Sequence, residues 1–203
     1  MVKTAVIVGQ NHPDKTLAGI VDEFDRVIIF EPLPDAVQAC RYAYKDAASV
    51  IVFEAACGEV FGPATFNQYN MRGLSSSLGT MTGEALAVYS GYDLSLTGTV
   101  EVQVLNLGVM LQMIGAANID LLMIDAQGMD FAVLKTVEPW IAESRVGTIQ
   151  LEADGVGFRH YDGLPDNSEE SIVEWMQRFP QYEPSRISGR MVEQPDLVFS
   201  LKG

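Results

Sequence analysis

Carboxylates recur where apolar runs end in this chain. Glu31 closes "RVIIFE" (26–31), Glu54 stands inside "SVIVFEAA" (49–56), Asp125 follows "IDLLMI" (119–124) and Glu152 belongs to "GTIQLE" (147–152). The first run, "TAVIVG" (4–9), ends on Gly9, followed by Gln10 and Asn11. Short continuous apolar runs read as strands buried on both faces. In open α/β sheets, ligands bind beyond the carboxyl ends of such strands. One sheet edge would then gather a glycine turn and several acids.

That pattern suits an adenine nucleoside. A carboxylate at the second strand end, about 20 residues after a glycine turn, accepts both ribose hydroxyls. Glu31 follows Gly9 by 22 residues. Gly9 lets backbone approach a ligand closely. NAD and S-adenosylmethionine both fit such a site. "GQNHPD" (9–14) holds one glycine, whereas a pyrophosphate needs a GxGxxG turn and a free helix N-terminus. This disfavours a dinucleotide; adenosylmethionine has no phosphate and is less demanding.

The elements that position these residues follow from spacing. Leu17, Ile20, Val21 and Phe24 recur at helical period, and Pro34 opens a helix through about Ala47, with Val37, Cys40 and Tyr44 on one face. Strand-like runs separated by helical patterns imply right-handed βαβ units and a parallel sheet. In the middle third, "PATFNQYN" (63–70) and "VEVQVL" (100–105) alternate as half-exposed strands do, around the glycine- and serine-rich "RGLSSSLGTMTG". A helix at 107–114 closes on Gly115. A second helix is expected from Asp130 to Ile141, with Phe131, Leu134 and Val137 inward. Asn167 and Glu170 have capping-box spacing for a third, and "DLVFSL" (196–201) gives a last strand. The expectation is one domain over 1–203: a doubly wound, mostly parallel Rossmann-like α/β sheet, with a β/loop flap inserted at about 58–105.

Bulk numbers narrow the classes. A formal charge of −14 argues against nucleic acid, whose phosphates need clustered Lys and Arg. Charges or glycines interrupt every apolar run, so no membrane span is expected, and a cytoplasmic location is the default. Cys40 and Cys57 lack CxxC spacing and read as buried thiols. Met110, Met113 and Trp140 are candidates for a homo-oligomer interface, although core burial is the commoner fate of such residues.

Three segments carry a family resemblance. They are "RVIIFEPLPDAVQACRYA" (26–43), "EAACGEVFGPATFNQYNMRGLSSSL" (54–78) and "IDLLMIDAQGMDFAVLKTVEPWI" (119–141), followed by "IQLEAD" (149–154). In order and spacing they resemble the FkbM-type S-adenosylmethionine-dependent methyltransferases. The resemblance implies a class I methyltransferase fold with S-adenosyl-L-methionine as cofactor. It would put Gly9, Gln10 and Asn11 along the methionine part and Glu31 with Pro32 at the ribose. Ala55 and Ala56 would lie near the adenine, Ser76 and Ser77 beside the pocket, and Asp125 at the active-site edge. Family members usually methylate hydroxyl oxygens, often on sugars or natural products. The chain departs from the family at the first motif: Ile7 replaces an acid and Pro13 a glycine. Asn106, Leu107 and Gly108 replace Thr-Leu-Asp.

Methyl transfer to a hydroxyl needs an aligned acceptor and a base. Asp125, Glu152, His12 and His160 are the candidate bases, with Asp125 favoured from its strand end. Asp125, Glu152, Asp154 and His160 are also ligand types for a divalent cation, but nothing in their spacing fixes a geometry, and no metal is assigned. Two readings stand: an O-methyltransferase acting on a small-molecule or glycan hydroxyl, and a non-catalytic protein of the same fold whose cofactor turn has decayed.

Overall fold

The computed structural model describes residues 2–70, 73–186 and 192–203. Arg72 of the glycine- and serine-rich stretch, and Met71 before it, lie outside the described residues.

The chain begins with two β–α units. β1 (Thr4–Val8) is buried throughout, and β2 (Arg26–Glu31) is buried after its first residue. Between them, α1 (Lys15–Glu23) starts where the Asp14 carboxylate accepts the Leu17 amide, and it buries Leu17 and Ile20. α2 (Pro34–Ala43) starts at Pro34, whose fixed φ suits a first turn that needs no N–H. It ends short of the expected Ala47, because Tyr44 leaves helical geometry and the Ala47 amide turns back to the Tyr44 carbonyl.

β3 (Val50–Glu54) corrects the sequence reading, which took it as fully buried. Among the described residues it is an edge strand paired only with β2, and its residues are half-buried or exposed. Arg41 of α2 reaches this strand. Its guanidinium donates to the Val52 carbonyl at 3.2 Å and to Glu54 at 3.3 Å.

The middle region forms its own small sheets. β4 (Ala56–Cys57), β5 (Gly62–Tyr69) and β7 (Leu96–Leu105) make a three-stranded sheet in the order β4-β7-β5. β6 (Thr80–Met81) and α3 (Gly83–Val88) lie between β5 and β7 in the chain. Phe66, Val102 and Val104 pack on Leu33 and Ala36 of the α2 region, which seats this flap over the second strand end.

The winding then resumes with α4 (Leu107–Met113), capped by Asn106, and β8 (Ile119–Ile124). The helix expected over 130–141 is two: α5 (Asp130–Thr136) and α6 (Glu138–Ala142). Pro139 has no amide to continue the ladder, and Val137 forms the junction at φ −101° and ψ 14°. β9 (Val146–Glu152) and β10 (Tyr161–Asp162) follow, β10 pairing with β6 of the flap. α7 (Glu169–Met176) is capped by Ser168, whose hydroxyl accepts the Ser171 amide. The expected cap, Asn167, instead turns inward, and its side-chain oxygen accepts the Phe131 amide at 2.9 Å. β11 (Tyr182–Arg186), to which the sequence reading assigned no strand, and β12 (Asp196–Leu201) complete the main sheet.

That sheet has the order β11-β12-β9-β8-β1-β2-β3. Among the described residues, β12 is the one strand of this sheet that runs opposite to the others, pairing antiparallel with both β9 and β11. β1, β2, β8 and β9 are parallel, so their carboxyl ends share one edge. The largest buried cluster lies on the face covered by α4, α5, α6 and α7; Leu17, Ile20 and Cys40 cover the other face.

Candidate functional site

A cleft of about 580 Å³ opens along that shared edge, within the range of small-molecule sites. Gly9, Gln10, Asn11, His12, Glu31, Pro32, Ala56, Ser76, Asp125 and Glu152 all line it. The structure thus gathers most of the residues singled out in the sequence. Ala55, Ser77 and His160 do not line the cleft; all three are buried beside or behind it.

The first wall is the turn after β1. Gly9 has φ +79° and Asn11 φ +54°, both in the left-handed region. Glu31 holds this turn. Its Oε2 accepts the Asn11 amide at 2.7 Å, and its Oε1 accepts the Leu33 amide at 2.8 Å. Glu31 is 3% exposed. Burial pushes its pKa up to about 7, against the two amides, and the negative charge of Asp125 adds to the rise. An ionised carboxylate offers roughly four acceptor positions, so two amides leave room for two ribose hydroxyls. Ile7, in place of the family's acid, is buried among Leu17, Ile20 and Val27.

The second wall is the loop after β8. Asp130 lies under it, fully buried. Its Oδ1 accepts the Ala126 amide at 2.9 Å and its Oδ2 the Gly128 amide at 3.1 Å. Burial and the Asp125 charge push its pKa up to about 8. Gln127 and Gly128 both have positive φ, +47° and +93°. The flap and β10, which pairs with it, each fasten onto this loop. Ser77 Oγ donates to the Gln127 carbonyl at 2.7 Å, and Tyr161 donates to Gln127 Oε1 at 2.7 Å while lying 2.9 Å from the Ser75 carbonyl. Ser77 is therefore a strut for the loop, although it does not face the cleft.

Gln127 then links two acids. Its Nε2 donates to Asp125 Oδ1 at 2.5 Å and to Glu152 Oε2 at 3.2 Å. Two carboxylates from adjacent strand ends thus converge on one amide, facing the cleft. Gln127 lies within the 119–141 segment that carries the family resemblance, but sequence reading gave it no task; its place two residues after a strand-end acid was the available signal. Gln194, which donates to Glu152 at 2.6 Å, carries no motif and was missed. His12 lines the cleft with Nδ1 2.7 Å from Asn11 Oδ1.

His160 differs from its expectation as a base. It is 4% exposed, with Nδ1 2.7 Å from Asp154 Oδ1. The loop after β9 folds back at the Asp154–Ser168 bridge and carries the ring behind the cleft. Asp125, Glu152, Asp154 and His160 do not form one cluster: among the described residues, no three His, Cys, Asp or Glu side chains converge to hold a metal.

The family profile for the methyltransferase FkbM domain matches residues 8–182. The chain belongs to that family. Membership among the FkbM methyltransferases implies a cofactor of the S-adenosylmethionine type, and the buried Glu31 carboxylate beside an open cleft fits the adenosine half of that group. Comparison with curated proteins gives no match. Among solved structures, a putative caffeoyl-CoA O-methyltransferase from Staphylococcus aureus superposes with TM-score 0.51 at 13% identity, covering 100% of this chain and 77% of that one. An rRNA methylase from Streptococcus thermophilus gives 0.51 at 8%, covering 99% and 88%. The N-terminal domain of EvdMO1, solved in the presence of SAH and D-fucose, gives 0.50 at 10%, covering 100% and 76%. At these identities the likeness is one of fold. Among the described residues, no helix is long and apolar enough to cross a membrane.

Proposed function

We propose that this FkbM methyltransferase methylates a hydroxyl oxygen on a small molecule or sugar. The observation that carries the reading is the Asp125–Gln127–Glu152 bridge, which holds two carboxylates at the cleft beside the Gly9 turn. The bound cofactor supplies an electrophilic methyl group on a sulfonium. The protein's part is to hold the adenosine through Glu31, to align the acceptor, and to take its proton. Asp125 would receive that proton as the acceptor oxygen takes the methyl group, the carbon–sulfur bond breaking and its electron pair leaving with S-adenosylhomocysteine. Glu152, tied to the same amide, accepts a second hydroxyl and so orients a polyol. The presence of D-fucose with SAH in the EvdMO1 structure is in keeping with a sugar acceptor.

The departures at Ile7 and Pro13 favour the rival reading, a non-catalytic partner subunit. Calorimetric titration with S-adenosylmethionine and S-adenosylhomocysteine, with NAD as control, separates the two. Micromolar binding of both adenosyl ligands is expected, followed by methyl transfer from labelled S-adenosylmethionine to members of a sugar panel. No binding of either overturns the enzyme reading.

A further inference from the structure

In the structure β9 is apolar on one face only. Ile149 and Leu151 are fully buried in the large cluster beside α4 to α7, while Thr148, Gln150 and Glu152 stay partly exposed. A parallel strand inside a doubly wound sheet is ordinarily covered on both faces and apolar throughout. β12 repeats the pattern: Leu197 and Phe199 join the same cluster, and Val198 and Ser200 alternate with them.

The register sets these side chains in rows. Met123, Gln150 and Val198 pair across three strands, as do Leu121, Thr148 and Ser200, and Glu152 pairs with Asp196. Paired residues share a face. α1 and α2 cover that face over β1 and β2. Their buried cluster reaches Leu121 and Met123 but, among the described residues, takes in nothing from β9 or β12. This half of the face is therefore open. It also runs into the cleft, since Met123, Gln150, Glu152 and Asp196 line both.

A cleft of about 580 Å³ suits one drug-sized ligand. With the cofactor in it, the reacting group of an acceptor fits at Asp125, and the rest of a longer acceptor must lie outside. We propose that the acceptor is a neutral oligosaccharide whose terminal ring enters the cleft and whose following rings lie on the open sheet face, along Gln150 and Thr148. The inference rests on the reading that Asp125 faces the acceptor hydroxyl. The Gln150 amide and the Thr148 and Ser200 hydroxyls both donate and accept, as sugar hydroxyls do. Met123 and Val198 flank Gln150 and offer apolar contact to the C–H face of a ring. No side chain in these two rows is charged, which suits a neutral chain. Glu152 to Thr148 spans four residues, about 13 Å. A second copy of the chain fits the face less well, because interface cores are rich in aromatic residues and these rows hold none.

The test applies the labelled full chain, with and without S-adenosylhomocysteine, to an array of neutral and charged glycans, from single rings to chains of about six. Neutral glycans should be retained, with affinity rising roughly three- to tenfold for each added ring until the row at Thr148 is passed. Ser200→Arg should remove that gain while leaving single-ring retention and the affinity for S-adenosylhomocysteine as they are. Should the arginine disturb folding, Thr148→Val, close in shape but without the hydroxyl, should reduce the gain. Glycans retained without any binding of S-adenosylhomocysteine would support the sheet-face site and overturn the enzyme reading alone. No neutral glycan retained, affinity independent of length, or a length dependence unchanged in a folded variant overturns the proposal. So does a dimer in solution that Ser200→Arg dissociates, which would assign the face to a second copy.

Discussion

The peptide oxygen of Asp125 lies 1.8 Å from where a β-carbon on Gly9 would stand. The ends of β1 and β8 thus touch backbone to backbone, and the Asp125 amide also bonds the Val8 carbonyl at 2.9 Å. The cofactor turn and the candidate base are positioned by the same contact. Gly9→Ala should destabilise the protein by about 1–3 kcal/mol through overpacking, with further strain from a non-glycine residue at positive φ. Urea unfolding measures the first effect. Titration with S-adenosylhomocysteine should show binding lost, because the turn cannot keep its place.

Glu31 makes binding pH-dependent. Below about pH 7 it takes a proton, and one oxygen then ceases to accept. S-adenosylhomocysteine affinity should fall as pH drops through 7, by up to about tenfold per unit. Stability runs the other way. A carboxyl whose pKa is raised in the folded state binds more protons there than when unfolded, so its stabilising contribution is full below pH 4.5 and is lost as pH rises to about 7. Asp130 acts in the same sense up to about 8. Melting curves from pH 4 to 8 for wild type and Glu31→Gln should differ in slope over that window. Identical slopes would show that Glu31 does not titrate there.

Asp125→Asn should abolish methyl transfer while leaving the melting temperature within a few degrees of wild type. The asparagine keeps an oxygen for Gln127 Nε2 but cannot take a proton from an acceptor hydroxyl. Single-turnover rates with labelled S-adenosylmethionine provide the check, and unchanged turnover would remove Asp125 as base.

Gly108 stands where the family carries an acid, and the structure gives the reason it does not. A β-carbon there would lie 2.0 Å from the Thr136 carbonyl at the end of α5. Gly108→Asp should therefore lower stability by several kcal/mol rather than restore function, since it forces α4 off α5 and leaves a charge at a buried contact. Thermal unfolding would show a melting temperature many degrees lower.

The two residues at the start of α7 should separate by role. Asn167→Ala leaves the buried Phe131 amide without its acceptor, at about 1–3 kcal/mol. Ser168→Ala removes an ordinary N-cap, at about 1 kcal/mol. Equal losses in denaturant unfolding would contradict this division.

The parallel strands β1, β2, β8 and β9 were legible because continuous apolar runs leave little choice of period. The acids at their ends could be placed on one edge from connection handedness alone. What escaped was set by partners distant in sequence. β3 has the composition of a buried strand, yet nothing in its own residues says that no strand lies beyond it. The sequence of β11 includes Pro184, Glu183 and Arg186, and it becomes a strand only because β12 offers an edge. Asn167 and Ser168 are both good caps, and the choice was made by an amide on α5. His160 has the residue type of a base, but the loop folds its ring onto Asp154 and Tyr89, a placement that no local spacing encodes.

Arg41 has a consequence for how copies of the chain meet. β3 stands at one end of the mostly parallel main sheet, and such an edge offers backbone groups to another strand. The Arg41 guanidinium already occupies the Val52 carbonyl and is anchored to Glu54. A strand approaching this edge would have to displace a cation and strip its hydration before a ladder could form. Arg41 thereby guards the protein against strand-to-strand polymerisation at high concentration, a task separate from anything it does for the stability of one molecule.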